Sequence, residues 1–327
     1  MPGSLINRIA GAIAGVVLCV SAAGVAAQQY PSKPVRMIVP YAPGGGVDIM
    51  GRIIGARLSE RLGVQVVLEN RGGANTVIGT DAVAKAPADG YTLLFGNPAL
   101  SANPALNDNL PYDTLRHLAP VMMVAASYNV LVVHPSLPVK SVRELVALAK
   151  SKPGQLNYAS AGDGSAIYLA MAMFQNTAGI DVVHIPYKGA GPALIDVVGG
   201  QVPMMFIATP PAVGYVNAGK LRGLAVSGAR RLAVLPDLPT IAEAGYRGFE
   251  VNNWYGVMAP GETPAAIITR LNGELNALLA TADIRERMAA LGAEPASGSA
   301  EQFGQRLRDE IALWRKVFAK GGAARAR

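Results

Sequence analysis

Cysteine is almost absent from this 327-residue chain: Cys19 stands alone, which excludes a disulfide scaffold. Histidine is nearly as scarce. His117, His134 and His184 are widely separated, and none sits in the HExxH or HxH spacing that holds a zinc ion, so they read as structural histidines. Aromatic residues make up 6% of the chain, and no basic stripe is interleaved with them. That pattern excludes a nucleic-acid surface, which needs cations for phosphates and rings for bases. No nucleophile-elbow GxSxG, Walker A or dinucleotide GxGxxG motif occurs, so an enzyme would lack a recognisable nucleophile, base, metal or cofactor. Charge is sparse at 16%, and the net +7 (29 Lys and Arg against 22 Asp and Glu) is scattered, as on a solvated surface. The terminal cluster of Arg315, Lys316, Lys320, Arg325 and Arg327 reads as a helix C-terminus followed by a tail.

Apolar residues are plentiful at 51%, enough for one large core or two ordinary ones. Gly (37) and Pro (23) are abundant without a tripeptide period, which suits many strand-to-helix turns and excludes collagen. At the start, Arg8 precedes an apolar run from Ile9 to Val20 and small residues around Val25-Ala26-Ala27, the pattern of a secretory signal peptide over residues 1–27. The run falls short of the roughly 20 residues a membrane-spanning helix requires. Cleavage there removes Cys19. A lipid anchor on that cysteine would want a small residue before it, and Leu18 is not small. The mature protein is expected to be soluble outside the cytoplasm.

From Val35 onward, short Val, Ile and Met runs alternate with helical periods. Strands are expected at Pro34–Pro40, Val64–Leu68 and Tyr91–Phe95, with a helix over Val47–Leu62 that buries Met50, Ile54, Leu58 and Leu62 and stops at Gly63. Capping boxes at Ser141/Glu144, Thr240/Glu243 and Ser299/Gln302 mark helix starts, and Pro264 fits a first helical position. A last helix over 300–318 carries a core stripe of Phe303, Leu307, Ile311, Trp314 and Phe318. The alternation implies an α/β fold with mostly parallel sheets. Two extended segments, Val121–Val133 and Phe249–Pro260, look like crossings between lobes, and the chain between them has its own strand candidates at Leu156–Ala159, Val182–Tyr187, Val202–Ile207 and Leu221–Val226. The expected organisation is lobe 1 over 28–126 and 250–327, lobe 2 over 127–249, and a cleft between them that closes about a hinge.

Two Gly-rich turns at strand ends are the informative feature. Tyr41-Ala-Pro-Gly-Gly-Gly-Val-Asp48 leads from a strand into a helix, so its backbone N–H groups can face an anion at the helix N-terminus. Tyr158-Ala-Ser-Ala-Gly-Asp-Gly-Ser165 repeats the arrangement in the second lobe. Asp48 and Ser165 also fit ordinary helix caps. Lys188 is the one cation near a predicted strand end, either facing a ligand or sitting in solvent.

These residues resemble the Bug-type (TctC-like) extracytoplasmic solute receptors of tripartite tricarboxylate transporters. The likeness rests on the order of Tyr30-Pro-Ser-Lys-Pro34, Val39–Asp48, Glu69-Asn-Arg-Gly-Gly-Ala74, Ala88-Asp-Gly-Tyr-Thr92, Leu110-Pro-Tyr-Asp113, Asn157-Tyr-Ala-Ser160, Pro186-Tyr-Lys-Gly189 and Leu235-Pro-Asp-Leu-Pro-Thr240. It implies the type II periplasmic binding-protein fold, a periplasmic location, a small organic acid as ligand, delivery to membrane permease subunits, a monomer, and neither cofactor nor catalysis. A receptor serving a sensor, or an exported hydrolase, is the alternative. By motif, Tyr41, Pro43, Gly44, Gly45 and Asp48 would form the first carboxylate turn, with Asp48 capping it. Ser160, Gly162, Gly164 and Ser165 would form the opposite one. Asn97, Ser101, Ala208 and Thr209 occupy further ligand-facing positions. Three departures from the family pattern stand out. Asn97–Pro104 has fewer hydroxyls than the Ser/Thr-rich stretch usual there and no His, Ile207 replaces an Asp, and Ile167-Tyr168 replaces Gly-His. They imply a less polar wall and an acid with an apolar or aromatic body.

Overall fold

Val35–Val39 (β1) is buried at four of its five positions, and Thr92–Gly96 (β3) and Met204–Ala208 (β7) at all of theirs. Such unbroken burial needs cover on both faces of a sheet, which helices following each strand provide. A computed structural model describes residues 30–319; the expected signal peptide with Cys19, and Lys320, Arg325 and Arg327, lie outside the described residues. Among the described residues there are ten strands and ten helices, and Lys33 onward belongs to one folded unit.

The remaining strands are β2 (Val66–Asn70), β4 (Leu118–Val133), β5 (Asn157–Ser160), β6 (Val183–Pro186), β8 (Arg222–Val226), β9 (Asn252–Pro260) and β10 (Ala293–Pro295). The helices that bear on the site are α1 (Gly46–Leu62), α2 (Val77–Ala84), α3 (Ala99–Leu106), α4 (Val142–Ser151), α5 (Ala166–Ala178), α6 (Ala190–Val198) and α7 (Thr209–Asn217). Helices α8 (Ala265–Leu279), α9 (Ala282–Ala290) and α10 (Ala300–Ala319) complete the chain.

Strand order is β2-β1-β3-β9-β4-β7-β5-β6, with β8 and β10 also on β4. The expectation of mostly parallel sheets is corrected here, because the sheet is mixed. β1 pairs in parallel with β2 and β3, and β5 with β6 and β7, as strands joined by crossover helices do. Every pairing made by β4 or β9 is antiparallel. The chain runs out along β4 and returns along its neighbour β9, and adjacent out-and-back strands must oppose each other. Leu118–Tyr128 of β4 pairs with β9, while Asn129–Val133 pairs with β7.

Local signals place the helices well. α1 ends at Gly63 in the left-handed region, whose N–H bonds to Ser59 O. Ser141 accepts from Glu144 N at α4, and Ser299 exchanges bonds with Gln302 before α10. Thr240 and Glu243 also exchange bonds, yet only a turn follows, cut short at Gly245. Pro264 lies one residue before α8 rather than inside it. Along α10, Phe303, Leu307, Ile311 and Phe318 are buried; Trp314 is half-buried and stacks on Phe318.

Phe303 meets the Trp254 ring edge-on at 5.2 Å and shares a core with Ile38, Leu94 and Met258. Gly256 makes room for it, since a Cβ there would lie 2.3 Å from the Phe303 ring. A second aromatic core gathers Phe174, Phe206, Tyr246 and Phe249. Replacing Phe303 by Ala should cost about 3–5 kcal/mol. Urea titration should show a lower midpoint at unchanged slope.

Candidate functional site

The first turn is braced from inside by a carboxylate. Gly45, the N-cap residue of α1, has no side chain to offer, and Asp48 instead reaches back to accept the Gly44 N–H at 3.0 Å. Gly44 lies at φ +88°, a region that Cβ-bearing residues avoid. Asp48 is only 4% exposed. Its other bonds come from Arg52 Nε and Nη2 at 3.1 and 2.9 Å and from Asn70 Nδ2 at 2.9 Å. Burial pushes the Asp48 carboxyl up, but Arg52, the Gly44 N–H and Asn70 together hold it below its ordinary value. Its charge is therefore spent on Arg52, and the first-turn N–H groups of Gly46, Val47 and Asp48 keep no intrahelical acceptor.

The second turn has a different brace. Ser165 caps α5 by accepting from Tyr168 N at 3.3 Å, and its hydroxyl donates to Gly162 O at 2.7 Å. Ser160 Oγ accepts the Gly162 N–H at 3.0 Å and lies 2.6 Å from His184 Nε2, while His184 Nδ1 lies 3.2 Å from Asp163. The imidazole is packed between the rings of Tyr158 and Tyr168, at 5.0 and 4.9 Å. His184 draws the Asp163 carboxyl below its ordinary value. The chain Ser160–His184–Asp163 has the connectivity of a hydrolytic triad, but Ser160 is fully buried and serves to shape the turn. His117 and His134 are likewise engaged locally, with Asp113 N and Ser136. Among the described residues no group of His, Cys, Asp and Glu could hold a metal ion.

The two turns open onto one cleft. From the β1 side it is lined by Tyr41, Gly45–Asp48 and Asn97. From the β5 side it is lined by Ala161, Ser165–Ile167, Ala190 and Ala208, with Asn253 contributed by β9. Four helices begin here. Gly45, Ser165 and Ala208 are the N-cap residues of α1, α5 and α7, and Ala190 is the first residue of α6. Of these helices only α5 has a side-chain cap, so the cleft faces a concentration of positive helix ends. α7 contributes mostly its dipole, because Pro210 and Pro211 carry no N–H. The sides touch above the cleft. Ala42 N donates to Lys188 O at 3.2 Å, and a Cβ on Gly191 would lie 1.9 Å from Pro43 O.

Of the residues expected in the site, Tyr41, Gly45, Asp48, Asn97, Ser165 and Ala208 line the cleft. Burial pushes the Tyr41 phenol up; it donates to Asn97 Oδ1 at 3.0 Å. Pro43 and Gly44 face an outer groove with Leu194 and Ile195, and Gly162 faces a wider opening that also holds Lys188. Gly164 packs away from the cleft, where a Cβ would strike Leu106 at 2.4 Å. Ser101 and Thr209 are also outside the lining. The Ser101 hydroxyl is shared by Pro98 O and Glu310, and that of Thr209 goes to Tyr128 O. Gly46 and Val47 within the first turn, Ala161 within the second, and Ala166, Ile167 and Ala190 also line the cleft but were not singled out; for all but Ala161 a position at the start of a helix was the available signal. Asn253 carried none.

Asp48 gives a pH signature. A carboxyl depressed in the folded state stabilises fully above its ordinary value of 3.8 and loses that contribution as pH falls through the lower folded value. Asp48→Asn should cost about 1.5–3 kcal/mol at pH 7. Denaturation measured from pH 7 to 2 should show the gap between the two proteins closing in acid.

Comparison with known proteins agrees with this geometry. Residues 50–322 match the model of the TctC family, described as the tripartite tricarboxylate transporter family receptor. BugT of Bordetella pertussis is 39% identical over 316 residues, covering 95% of this chain and 97% of that one. The periplasmic binding protein BugD superposes with a TM-score of 0.86 at 36% identity, over 90% of this chain and 99% of its own. Rpa4515 of R. palustris, solved with adipate, gives a TM-score of 0.86 at 38% identity, over 90% and 98%.

Proposed function

The chain belongs to the TctC, or Bug-type, family of tripartite tricarboxylate transporter receptors, which are solute-binding proteins rather than enzymes and have an α/β periplasmic binding-protein fold, and on that premise we propose that it captures a small carboxylic acid in this cleft and delivers it to a membrane permease. The observation that carries this reading is the meeting of four helix N-termini at one cleft, three of them without a side-chain cap. A carboxylate placed there receives N–H bonds from the first turns of α1 and α5, each worth about 1.5–3 kcal/mol to a charged partner. Asp48 does not repel it strongly, because Arg52 already neutralises that charge.

Val47, Ala161, Ala166, Ile167, Ala190 and Ala208 supply an apolar wall, which favours an acid with an apolar body. The adipate bound by Rpa4515, a chain of methylenes between two carboxylates, is consistent with that class. Capture would be a closure of two lobes hinged where β4 changes partners after Tyr128 and where β9 begins. Export through the N-terminal signal would place the mature chain in the periplasm.

Two measurements test the proposal. Thermal-shift screening of the mature protein against organic acids should find ligands that raise Tm without being chemically altered. Gly191→Ala, which places a methyl against Pro43 O where the two sides touch, should weaken binding of those acids about tenfold or more by calorimetry, with circular dichroism reporting whether the variant folds. Turnover of a bound acid, or no response to any acid, would overturn the reading.

A further inference from the structure

Most of the polar atoms around the cleft are committed to the protein. Asp48 uses both oxygens, Tyr41 gives its proton to Asn97, and Ser165 both gives and accepts. Asn97 Oδ1 also takes the Ala99 N–H. Asn253 differs. It lines the cleft, is 3% exposed, and its Oδ1 finds no hydrogen-bond partner although buried.

The orientation of that amide is held from behind. Asn253 Nδ2 donates to Tyr255 Oη at 3.2 Å, and Oη is shared with Ser127 Oγ at 3.1 Å. The phenol lies close to the start of α1, where a Cβ on Gly46 would come within 2.7 Å of Oη. With the nitrogen tied to Tyr255, the oxygen remains free.

A second amide lies beside it. Ser127 is opposite Asn253 across the β4–β9 ladder, and Asn129 is two residues further along β4, opposite Ala208 of β7. Residues two apart on a strand, and residues directly opposed across a ladder, share one face of a sheet. Ser127, Asn129, Asn253 and Ala208 therefore stand on one face, the face whose Ala208 and Asn253 front the cleft. Asn129 is fully buried, and neither Oδ1 nor Nδ2 has a partner. Buried unpaired amides are costly, and native proteins seldom leave two together without a purpose.

We infer that Asn253 is a specificity residue that accepts a hydrogen bond from a hydroxyl group on the bound acid, so that the cleft selects hydroxy acids over their unsubstituted parents. A hydroxyl suits this acceptor better than an ammonium, because it brings no positive charge to the helix N-termini around the cleft. The inference rests on the carboxylate-receptor reading above.

Acids of matched skeleton test it. Calorimetry on the mature protein would compare butanoate, glutarate and 3-phenylpropanoate, each with its 2-hydroxy, 3-hydroxy and 2-amino derivatives. In at least one series a hydroxy acid should bind about 5- to 150-fold more tightly than its parent, the range expected when a buried unpaired acceptor gains a donor. Asn253→Ala should bring that ratio to within about twofold. The wild-type comparison stands without the variant, and the unliganded Tm of the variant reports whether it folds. Equal binding of parent and hydroxy acid, as a trapped water on Oδ1 would give, overturns this inference and leaves the receptor reading intact. Preference for the amino acid, or discrimination that persists in folded Asn253→Ala, also overturns it. Failure of every acid to bind overturns the receptor reading, and the selectivity with it.

Discussion

The antiparallel ladder between β4 and β9 is the constraint on which the rest of this molecule depends. Each of these strands is long, and each is hydrogen-bonded on both edges. The ladder joins the β1 group of parallel strands to the β5 group and fixes the distance between their C-terminal ends. Helices that begin at those ends, α1 from one group and α5, α6 and α7 from the other, are thereby aimed at a common point. Ridges of buried side chains hold the ladder in place. Trp254 on β9 packs against Phe303 of α10, and its indole N–H bonds to Glu310, which also engages Ser101 of α3.

The electrostatics of the cleft follow from how the two turns are braced. Had Asp48 been left as a free carboxylate at the head of α1, it would compete with any anionic guest for the same N–H groups. Bidentate pairing with Arg52 and the bonds from Gly44 and Asn70 remove that competition and stiffen the turn at the same time. On the other side, the Ser160–His184–Asp163 chain holds the loop without placing a charge in the cleft. Asp48 lines the cleft with both oxygens already engaged, and the Ser160–His184–Asp163 chain lies outside that lining. The surface that meets a ligand is then made largely of peptide N–H groups and small apolar side chains, an arrangement that accepts a carboxylate without tight demands on its body.

Much of this was legible in the sequence, and the reasons are local. Gly44 and Gly45 before Asp48, and Ser160 to Ser165 before a helical period, announce strand-turn-helix junctions through chemistry that acts over five or six residues. The strand positions came out shifted by a residue or two, as with Val66–Asn70 against the expected Val64–Leu68. The N-cap of α5 and the C-cap of α1 were recognisable from single residues, because capping depends on one side chain and the nearest peptide groups. The Thr240/Glu243 box shows the limit of that logic, since the local bonds form and no helix follows.

What lay beyond reach involves partners far apart in the chain. Ser101 and Thr209 carry hydroxyls of the right kind for a ligand site, but Glu310 and the Tyr128 carbonyl claim them, and only packing of α10 and β4 brings those acceptors near. Asn253 has no motif around it and enters the cleft because β9 returns beside β4 in one register rather than another. The sequence alone determined where the turns and helix starts lie and what chemistry they can offer, because turns and caps answer to neighbouring residues. Only the tertiary structure decided which way the strands run and which side chains meet at the cleft, because pairing register and burial are set by contacts between segments more than a hundred residues apart.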